Sequence, residues 1–336
     1  MIPDSVKEQI KDADLVSILQ SEGLELKRDG AYYKCCCPFH NEKTPSFVVH
    51  PGKNIATCFG ESRSWDAIGF VREKYNMEYP EAIEYLAQKL HIQYEKREPT
   101  AEEREAQHKK EQLIRVNEAA QAWFIEQFKR APSAQDYCKQ RGWDEKVIQL
   151  FGIGFAPKAG GMLKALMDQG WKRELIMEAG LAAVNDEGQY YDAFRDRIIF
   201  PIYSKTGYIA GFTGRYMGDR QDVAKYKNTK ETTLFKKGEM LFGWFQARRS
   251  AKTNGAVVLC EGNPDVIRLH QIGVSNAIAP MGTALTDANI EYLKAYAETV
   301  IIAGDMDSAG REAAAKQGEA LLKAGFKVRI VEWTGY

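Results

Sequence analysis

Two short, largely apolar runs near the carboxyl end constrain this chain most: Ala256-Val257-Val258-Leu259-Cys260 and Thr299-Val300-Ile301-Ile302-Ala303. The first stops at Glu261-Gly262 and the second at Gly304-Asp305-Met306-Asp307. Between them lie an amphipathic stretch from Pro264 to Ile272, a strand-like run from Asn276 to Ala279 and a helix start near Asp287. After them come a helical stretch from about Ser308 to Leu322 and a strand from Lys327 to Trp333. Apolar strands alternating with helices predict βαβ units and a mainly parallel, Rossmann-like sheet. In such sheets ligands sit at the carboxyl ends of the strands. Glu261, Asp265, Asp305 and Asp307 all fall just past strand ends. Read singly, Glu261 or Asp307 is an ordinary turn or helix N-cap acid. Read as a set, acids without nearby basic partners repel one another, and a hard cation, Mg²⁺ or Mn²⁺, is the natural counter-charge.

The residues that carry this pattern resemble a known module. Glu261-Gly262-Asn263-Pro264-Asp265, Met281-Gly282-Thr283-Ala284-Leu285-Thr286 and Asp305-Met306-Asp307-Ser308-Ala309-Gly310-Arg311 are similar to the TOPRIM module shared by primases and topoisomerases. The Gly-Thr-Ala-Leu-Thr segment resembles the bacterial DnaG-type primases within that group.

The amino-terminal third points to a second chemistry. Residues 4–22 read as helical, with Val6, Ile10, Leu15, Ile18 and Leu19 on one side and Gly23 as the stop. A hairpin is expected around Asp29-Gly30. Six cysteines occur in the chain, three of them consecutive, which is no disulfide framework. No export signal precedes them, so a reducing cytoplasm and metal binding are expected. The pattern Cys37-x2-His40-x17-Cys58-x2-Glu61 has zinc-ribbon spacing, with paired ligands on two turns that face each other across short strands. A lone histidine is usually a satisfied surface or core residue, but one three residues after a cysteine, opposite another cysteine, reads as a ligand.

This segment is similar to the zinc-binding domain of DnaG-type primases through Cys37-Pro38-Phe39-His40 and Cys58-Phe59-Gly60. The family's second pair ends in cysteine, whereas this chain has Glu61 there. Three outcomes follow: Glu61 ligates through oxygen, Cys35 or Cys36 supplies the fourth sulfur, or the site is weakened or empty. One structural Zn²⁺ on Cys37, His40 and Cys58 is expected, bound less tightly than by three thiolates and an imidazole. Structural zinc supplies on the order of 10 kcal/mol of folding energy, so its loss should unfold a small domain.

Packing helices are expected near Trp65–Val71 and Tyr79–Leu86, without chemistry of their own. Residues 94–112 are nearly all charged or polar and read as a linker or solvated helix, followed by an amphipathic helix from about Leu113 to Phe128. Cys138 and Cys260 are expected to be structural. The Gly152-Ile153-Gly154-Phe155 string alone is a weak phosphate-loop signal. The chain carries 46 basic and 46 acidic residues, so only their distribution can speak for nucleic acid. Between Arg195 and Ser250 there are twelve basic and five acidic residues, with aromatics interleaved. Arg195 and Arg197 are two apart in a strand-like run and are expected to share a face. A cationic trough lined with rings holds single strands without reading sequence, although most basic runs are simply solvated surface.

The resemblance implies the rest. It extends from about residue 4 to 333, and Arg141-Gly142 with Gly152–Pro157 is similar to the family's entry into its polymerase domain. Arg141, Arg195, Arg197, Arg215, Lys225, Lys227 and Lys237 are then expected to bind incoming nucleotide and template, with Glu261, Asp305, Asp307 and Asp265 as catalytic acids. The implied architecture is an α+β multidomain chain: a zinc-ribbon domain (1–97), a linker (98–112), a basic subdomain (113–250) and a TOPRIM subdomain (251–336). The implied activity is template-directed RNA primer synthesis on single-stranded DNA from ribonucleoside triphosphates. Relative to the family the chain stops early, before a further acidic pair and the domain that docks on the replicative helicase, as a fragment or a mobile-element relative would. Two rivals remain: a TOPRIM nuclease or topoisomerase, and a non-catalytic single-strand-binding remnant. No run of 18 apolar residues predicts a membrane span.

Overall fold

Residues 4–22, expected as one helix, form two: α1 (Asp4–Asp12) and α2 (Leu15–Ser21). The cause of the break is Asp14, whose carboxylate accepts the N–H groups of Val16 (3.2 Å) and Ser17 (3.1 Å) and starts a fresh helix. Val6, Ile10, Leu15, Ile18 and Leu19 are nonetheless all buried, as their spacing predicts. The computed structural model describes residues 2–331 apart from 62, 95–97, 99, 283–284 and 305–307. It divides into two compact units, Met1–Arg104 and Glu105–Tyr336.

In the first unit β1 (Lys27–Asp29) and β2 (Tyr32–Cys35) form the expected hairpin. With β3 (Phe47–His50), β4 (Ile55–Cys58) and β5 (Arg63–Trp65) they make an antiparallel sheet in chain order. Helices α3 (Ala67–Tyr75) and α4 (Tyr79–Lys89) follow. Trp65, expected in a helix, instead ends β5. One core gathers Phe47, Trp65, Phe70 and Leu86 with the buried faces of α1 and α2.

A fully buried carboxylate ties these helices together. Glu22 accepts hydrogen bonds from Tyr85 Oη (2.9 Å), Tyr75 Oη (2.7 Å), Lys74 Nζ (3.0 Å) and Lys89 Nζ. Burial pushes its pKa up, but the bonds from Lys89, Tyr75, Lys74 and Tyr85 outweigh it and hold the group at about 2. A buried charge is tolerated because every acceptor site is filled and two cations face it.

The second unit begins in α5 (Ala101–Lys129), one unbroken 29-residue helix. The charged stretch of 98–112 is thus helical from Ala101 onward, and the same helix buries Leu113, Val116, Ala120 and Phe124 further along. Next come α6 (Pro132–Gln140), α7 (Glu145–Phe151), β6 (Gly154–Ala156), α8 (Met162–Asp168) and α9 (Arg173–Glu178). A ribbon of β7 (Ala182–Val184) and β8 (Tyr190–Asp192) precedes β9 (Arg197–Tyr203), β10 (Ile209–Tyr216) and β11 (Tyr226–Asn228). The sheet order is β11-β10-β9-β6, all antiparallel. The Gly-Ile-Gly-Phe string is structural rather than a phosphate loop. Gly152 closes α7 at φ +61°, and a Cβ on Gly154 would lie 2.6 Å from Phe124 Cβ.

The remaining elements are β12 (Leu241–Phe242), α10 (Trp244–Asn254), β13 (Ala256–Cys260), α11 (Asn263–Gln271), β14 (Ala277–Pro280), α12 (Asp287–Lys294), β15 (Thr299–Ala303), α13 (Ser308–Lys323) and β16 (Lys327–Ile330). The sheet order is β12-β14-β13-β15-β16. Every neighbour pairing is parallel except β12 with β14, so the expected parallel sheet gains an antiparallel edge from residues ahead of 251. Among the described residues no helix is long and apolar enough to cross a membrane.

The Glu22 knot generates a test. Glu22→Gln leaves two ammonium groups facing a neutral amide and should destabilise the first unit by about 3 kcal/mol at pH 7. In the unchanged chain this contribution is complete above pH 4.5 and is lost as pH falls toward about 2, because the folded pKa lies below the unfolded one. Hydrogen exchange of α4 amides across that pH range reads both effects, and equal protection in the two proteins at pH 7 would refute them.

Candidate metal centres and nucleic-acid face

The first centre is built by two turns that flank β3 and β4. Cys37 and Cys58 are buried and His40 is half-buried, and their ligating atoms all lie within 4.8 Å of one another. Cys58 Sγ is 3.8 Å from His40 Nδ1. One tetrahedral ion with Zn–S of about 2.3 Å and Zn–N of about 2.0 Å can bridge such a group. Glu61 has Oε1 3.9 Å from His40 Nδ1 and Oε2 3.7 Å from Arg63 Nη1, and its N–H donates to Cys58 Sγ (3.4 Å). Cys35 and Cys36 are not in the cluster.

Sequence reasoning missed Glu42, which organises this centre without joining it. Its Oε1 accepts the N–H groups of Cys37 (2.6 Å) and Ser46 (3.1 Å), and its Oε2 lies 3.1 Å from His40 Nε2. Ser46, first through its hydroxyl and then with Cys37 through the backbone, holds the Glu42 carboxyl down to about 2. A carboxylate on Nε2 fixes the tautomer that leaves the Nδ1 lone pair toward Cys58. The signal was present in the sequence as an acid two residues past the histidine, just ahead of Thr44-Pro45-Ser46. Phe59, on the turn between Cys58 and Glu61, is 69 % exposed.

The second centre lies at the carboxyl edge of the parallel sheet. The register pairs Cys260 with Ala303, so Glu261 and Gly304 emerge side by side. A Cβ added to Gly304 would sit 3.0 Å from Glu261 Oε1. Asp265 lies in the first turn of α11, and its Oδ2 accepts the Gly262 N–H at 3.2 Å. Lys237 is exposed, and its Cε would lie 3.7 Å from a Cβ on Gly282, in the loop after β14. Asn228 Nδ2 reaches Met281 O in that loop (3.4 Å), so the end of β11 borders the same edge. Asp305 and Asp307 lie outside the described residues. The second unit's own cysteines take no part: burial pushes Cys138 and Cys260 up to about 12.

The basic residues divide into two kinds, and one expectation needs correction. Arg195 and Arg197 do not share a strand face. Strand β9 starts at Arg197, and Asp196 has φ +54°, which breaks the alternation. Arg195 is exposed, over the ring of Tyr191. Arg197 is only 5 % exposed, and it donates to the carbonyls of Gly214 (2.9 Å), Ala224 (2.9 Å) and Lys225 (3.4 Å). Burial lowers its pKa. Lys227 donates to Ala193 O (2.7 Å), and burial followed by Arg197 lowers its pKa also. Lys225 is exposed, and with Arg215 and the unforeseen Arg220 it lines a cleft of about 420 Å³. Arg215 faces Tyr226 across the β10–β11 pairing, 5.9 Å from the ring centroid. Arg141 is exposed, over Tyr137.

A ligand cluster on paired turns in one unit, with acids at parallel-strand ends beside a basic antiparallel sheet in the other, defines a zinc-ribbon protein of the Toprim class. Three family models match: the CHC2 zinc finger over residues 2–102, the DNA primase catalytic core N-terminal domain over 123–248, and the Toprim-like family over 258–336. A DNA primase of Pseudomonas putida is 36 % identical over 328 residues, covering 96 % of this chain and 49 % of that protein. The chain spans about half the length of the curated relatives it matches. The crystal structure of the Aquifex aeolicus primase zinc-binding and RNA polymerase domains superposes with a TM-score of 0.65 at 34 % identity, covering 100 % of this chain and 81 % of that one. A DnaG primase catalytic domain bound to single-stranded DNA superposes with a TM-score of 0.60 at 32 % identity, covering 68 % of this chain and 73 % of that one. The chain belongs to the DnaG-type DNA primases.

Glu42→Ala should weaken metal binding at the Cys37–His40–Cys58 cluster by roughly 10–100-fold, although Glu42 ligates nothing. Competition with a chromophoric chelator reads the change, and an unaltered affinity would make Glu42 a turn residue only.

Proposed function

We propose that this chain carries the catalytic part of a primase, which joins ribonucleoside triphosphates on a single-stranded DNA template. The observation that carries the reading is the placement of Glu261 against Gly304, the residue just ahead of Asp305-Met306-Asp307 in the sequence, with Lys237 beside the loop of the adjacent strand. In primer synthesis the 3′-hydroxyl of one nucleotide attacks the α-phosphate of the next, and pyrophosphate leaves. The protein's part is positioning and charge neutralisation.

Asp305 and Asp307, with Glu261, would hold Mg²⁺ or Mn²⁺, which when bound offsets the charge that develops on the phosphoryl oxygens. Glu261 takes the hydroxyl proton as general base, and Asp265 orders the Glu261-Gly262 turn through its bond to the Gly262 N–H. Lys237, at the same edge, binds triphosphate. Arg141, Arg195, Arg215 and Lys225 bind template phosphates, and the interleaved rings, Tyr226 among them, offer stacking surfaces. Arg197 supports that face from behind, through backbone carbonyls, and the exposed Lys227, bonded to the Ala193 carbonyl, stands with the template-binding groups. In the first unit Cys37, His40 and Cys58 hold a structural zinc ion that fixes the two turns.

The experiment supplies the chain with single-stranded template, labelled ribonucleotides and Mn²⁺. Short RNA products are expected. Template cleavage would favour a nuclease, and binding without incorporation a remnant. Asp305→Ala should abolish products while leaving template affinity, read by fluorescence anisotropy, nearly intact. Equal loss of both would make the acid structural.

A further inference from the structure

The family's zinc pattern closes on a cysteine where this chain has Glu61, so the fourth donor has to be found among the chain's own residues. Cys35 lies in β2 opposite Phe47 in β3, and with Cys36 it lines a cleft of about 520 Å³ beside Lys34 and Lys74. Neither sulfur is grouped with Cys37, His40 and Cys58. Glu61 stands on the same turn as Cys58, its N–H bonded to the Cys58 sulfur at 3.4 Å, and its Oε1 is 3.9 Å from the ring nitrogen that Glu42 leaves unprotonated. Oε1 is not within 4.8 Å of all three ligating atoms. The side chain is 32 % exposed and two bonds longer than cysteine, which gives its carboxylate a longer reach from the same backbone position.

We propose that Glu61 supplies the fourth zinc donor through one carboxylate oxygen, with the other oxygen held toward Arg63, and that the site therefore exchanges its ion. The inference rests on the zinc reading given above. Three anionic donors are kept, so the net charge of the filled site is that of a three-thiolate site. What changes is softness: a carboxylate oxygen bonds zinc less covalently than a thiolate. Arg63 also competes for the carboxylate, at 3.7 Å through Nη1, while its Nη2 is bonded to Glu73. Occupancy of the amino-terminal unit then follows the zinc supply, where a site with a third thiolate would stay filled.

The test uses the full chain, stripped of metal and refilled with Co²⁺ for spectroscopy or Zn²⁺ for chelator competition. The thiolate-to-cobalt charge-transfer intensity should correspond to two thiolates in the unchanged protein and three in Glu61→Cys. Glu61→Cys should tighten zinc by at least about tenfold and slow its release, and Glu61→Gln should weaken zinc by at least about tenfold. A three-thiolate spectrum in the unchanged protein, reduced by Cys36→Ser or Cys35→Ser, would overturn the assignment. So would a Glu61→Gln protein that binds zinc as tightly as the original. Failure of the unchanged protein to bind either ion would overturn the zinc reading itself, and this inference with it.

Discussion

The parallel pairing of β13 with β15, Cys260 opposite Ala303, is the constraint on which the acidic edge depends. Its register is fixed from both faces of the sheet. Val257 and Leu259 belong to one core, with Ile278, Val300 and Ile302 from the neighbouring strands. Val258 and Cys260 belong to another, with Ala277, Ala279 and Ala303. A slip of one residue would exchange these two sets at every position, which neither core could absorb. The register that buries the apolar side chains is therefore the one that delivers Glu261 beside Gly304. Gly304 adds the local condition, because a side chain there would crowd the Glu261 carboxylate at 3.0 Å.

The amino-terminal centre solves the same positioning problem with antiparallel strands and no crossover. Pairing of Phe47 with Cys58 aligns the turn after β4 with the turn before β3. Glu42 then folds the Cys37–Ser46 segment onto itself, through the N–H groups of Cys37 and Ser46 and the far nitrogen of His40. A metal placed there joins turns that hydrogen bonds have already brought together. Its contribution adds to a core that includes Phe47, Trp65 and Phe70, and the buried Glu22 knot holds the helices behind that core.

What could be read from the sequence follows from how locally each feature is specified. The strand ends at Cys260 and Ala303 and the turn cysteines were legible because apolar runs and ligand spacings are contiguous in sequence. The break at Asp14 was less visible, since the apolar spacing of residues 4–22 is satisfied by one helix or by two. The charged stretch 98–112 allowed a linker or a helix, and Ala101–Lys129 shows the helix. Glu22 and β12 were missed because their partners are distant in sequence: Glu22 meets Lys74 and Lys89, and Leu241 pairs with Pro280. Glu42 is bonded locally, to Cys37, His40 and Ser46, and was overlooked because an acid in a polar turn carries no ligand spacing of its own. Arg195 and Arg197 were misread because period-two reasoning assumes an unbroken strand, and Asp196 is left-handed.

Arg197 shows how a charge can serve a surface it does not reach. Burying a guanidinium is costly unless its donors are filled. Here carbonyls of Gly214, Ala224 and Lys225 fill several of them, and the Tyr216 ring lies 5.4 Å away. Those carbonyls belong to the end of β10 and to the segment entering β11, so one side chain holds the hairpin that displays Lys225 and Tyr226. Replacing it by an apolar residue would leave those carbonyls short of donors, and the exposed basic groups would lose their common frame. The basic face is thus built from an inner residue that sets geometry and outer residues that meet solvent.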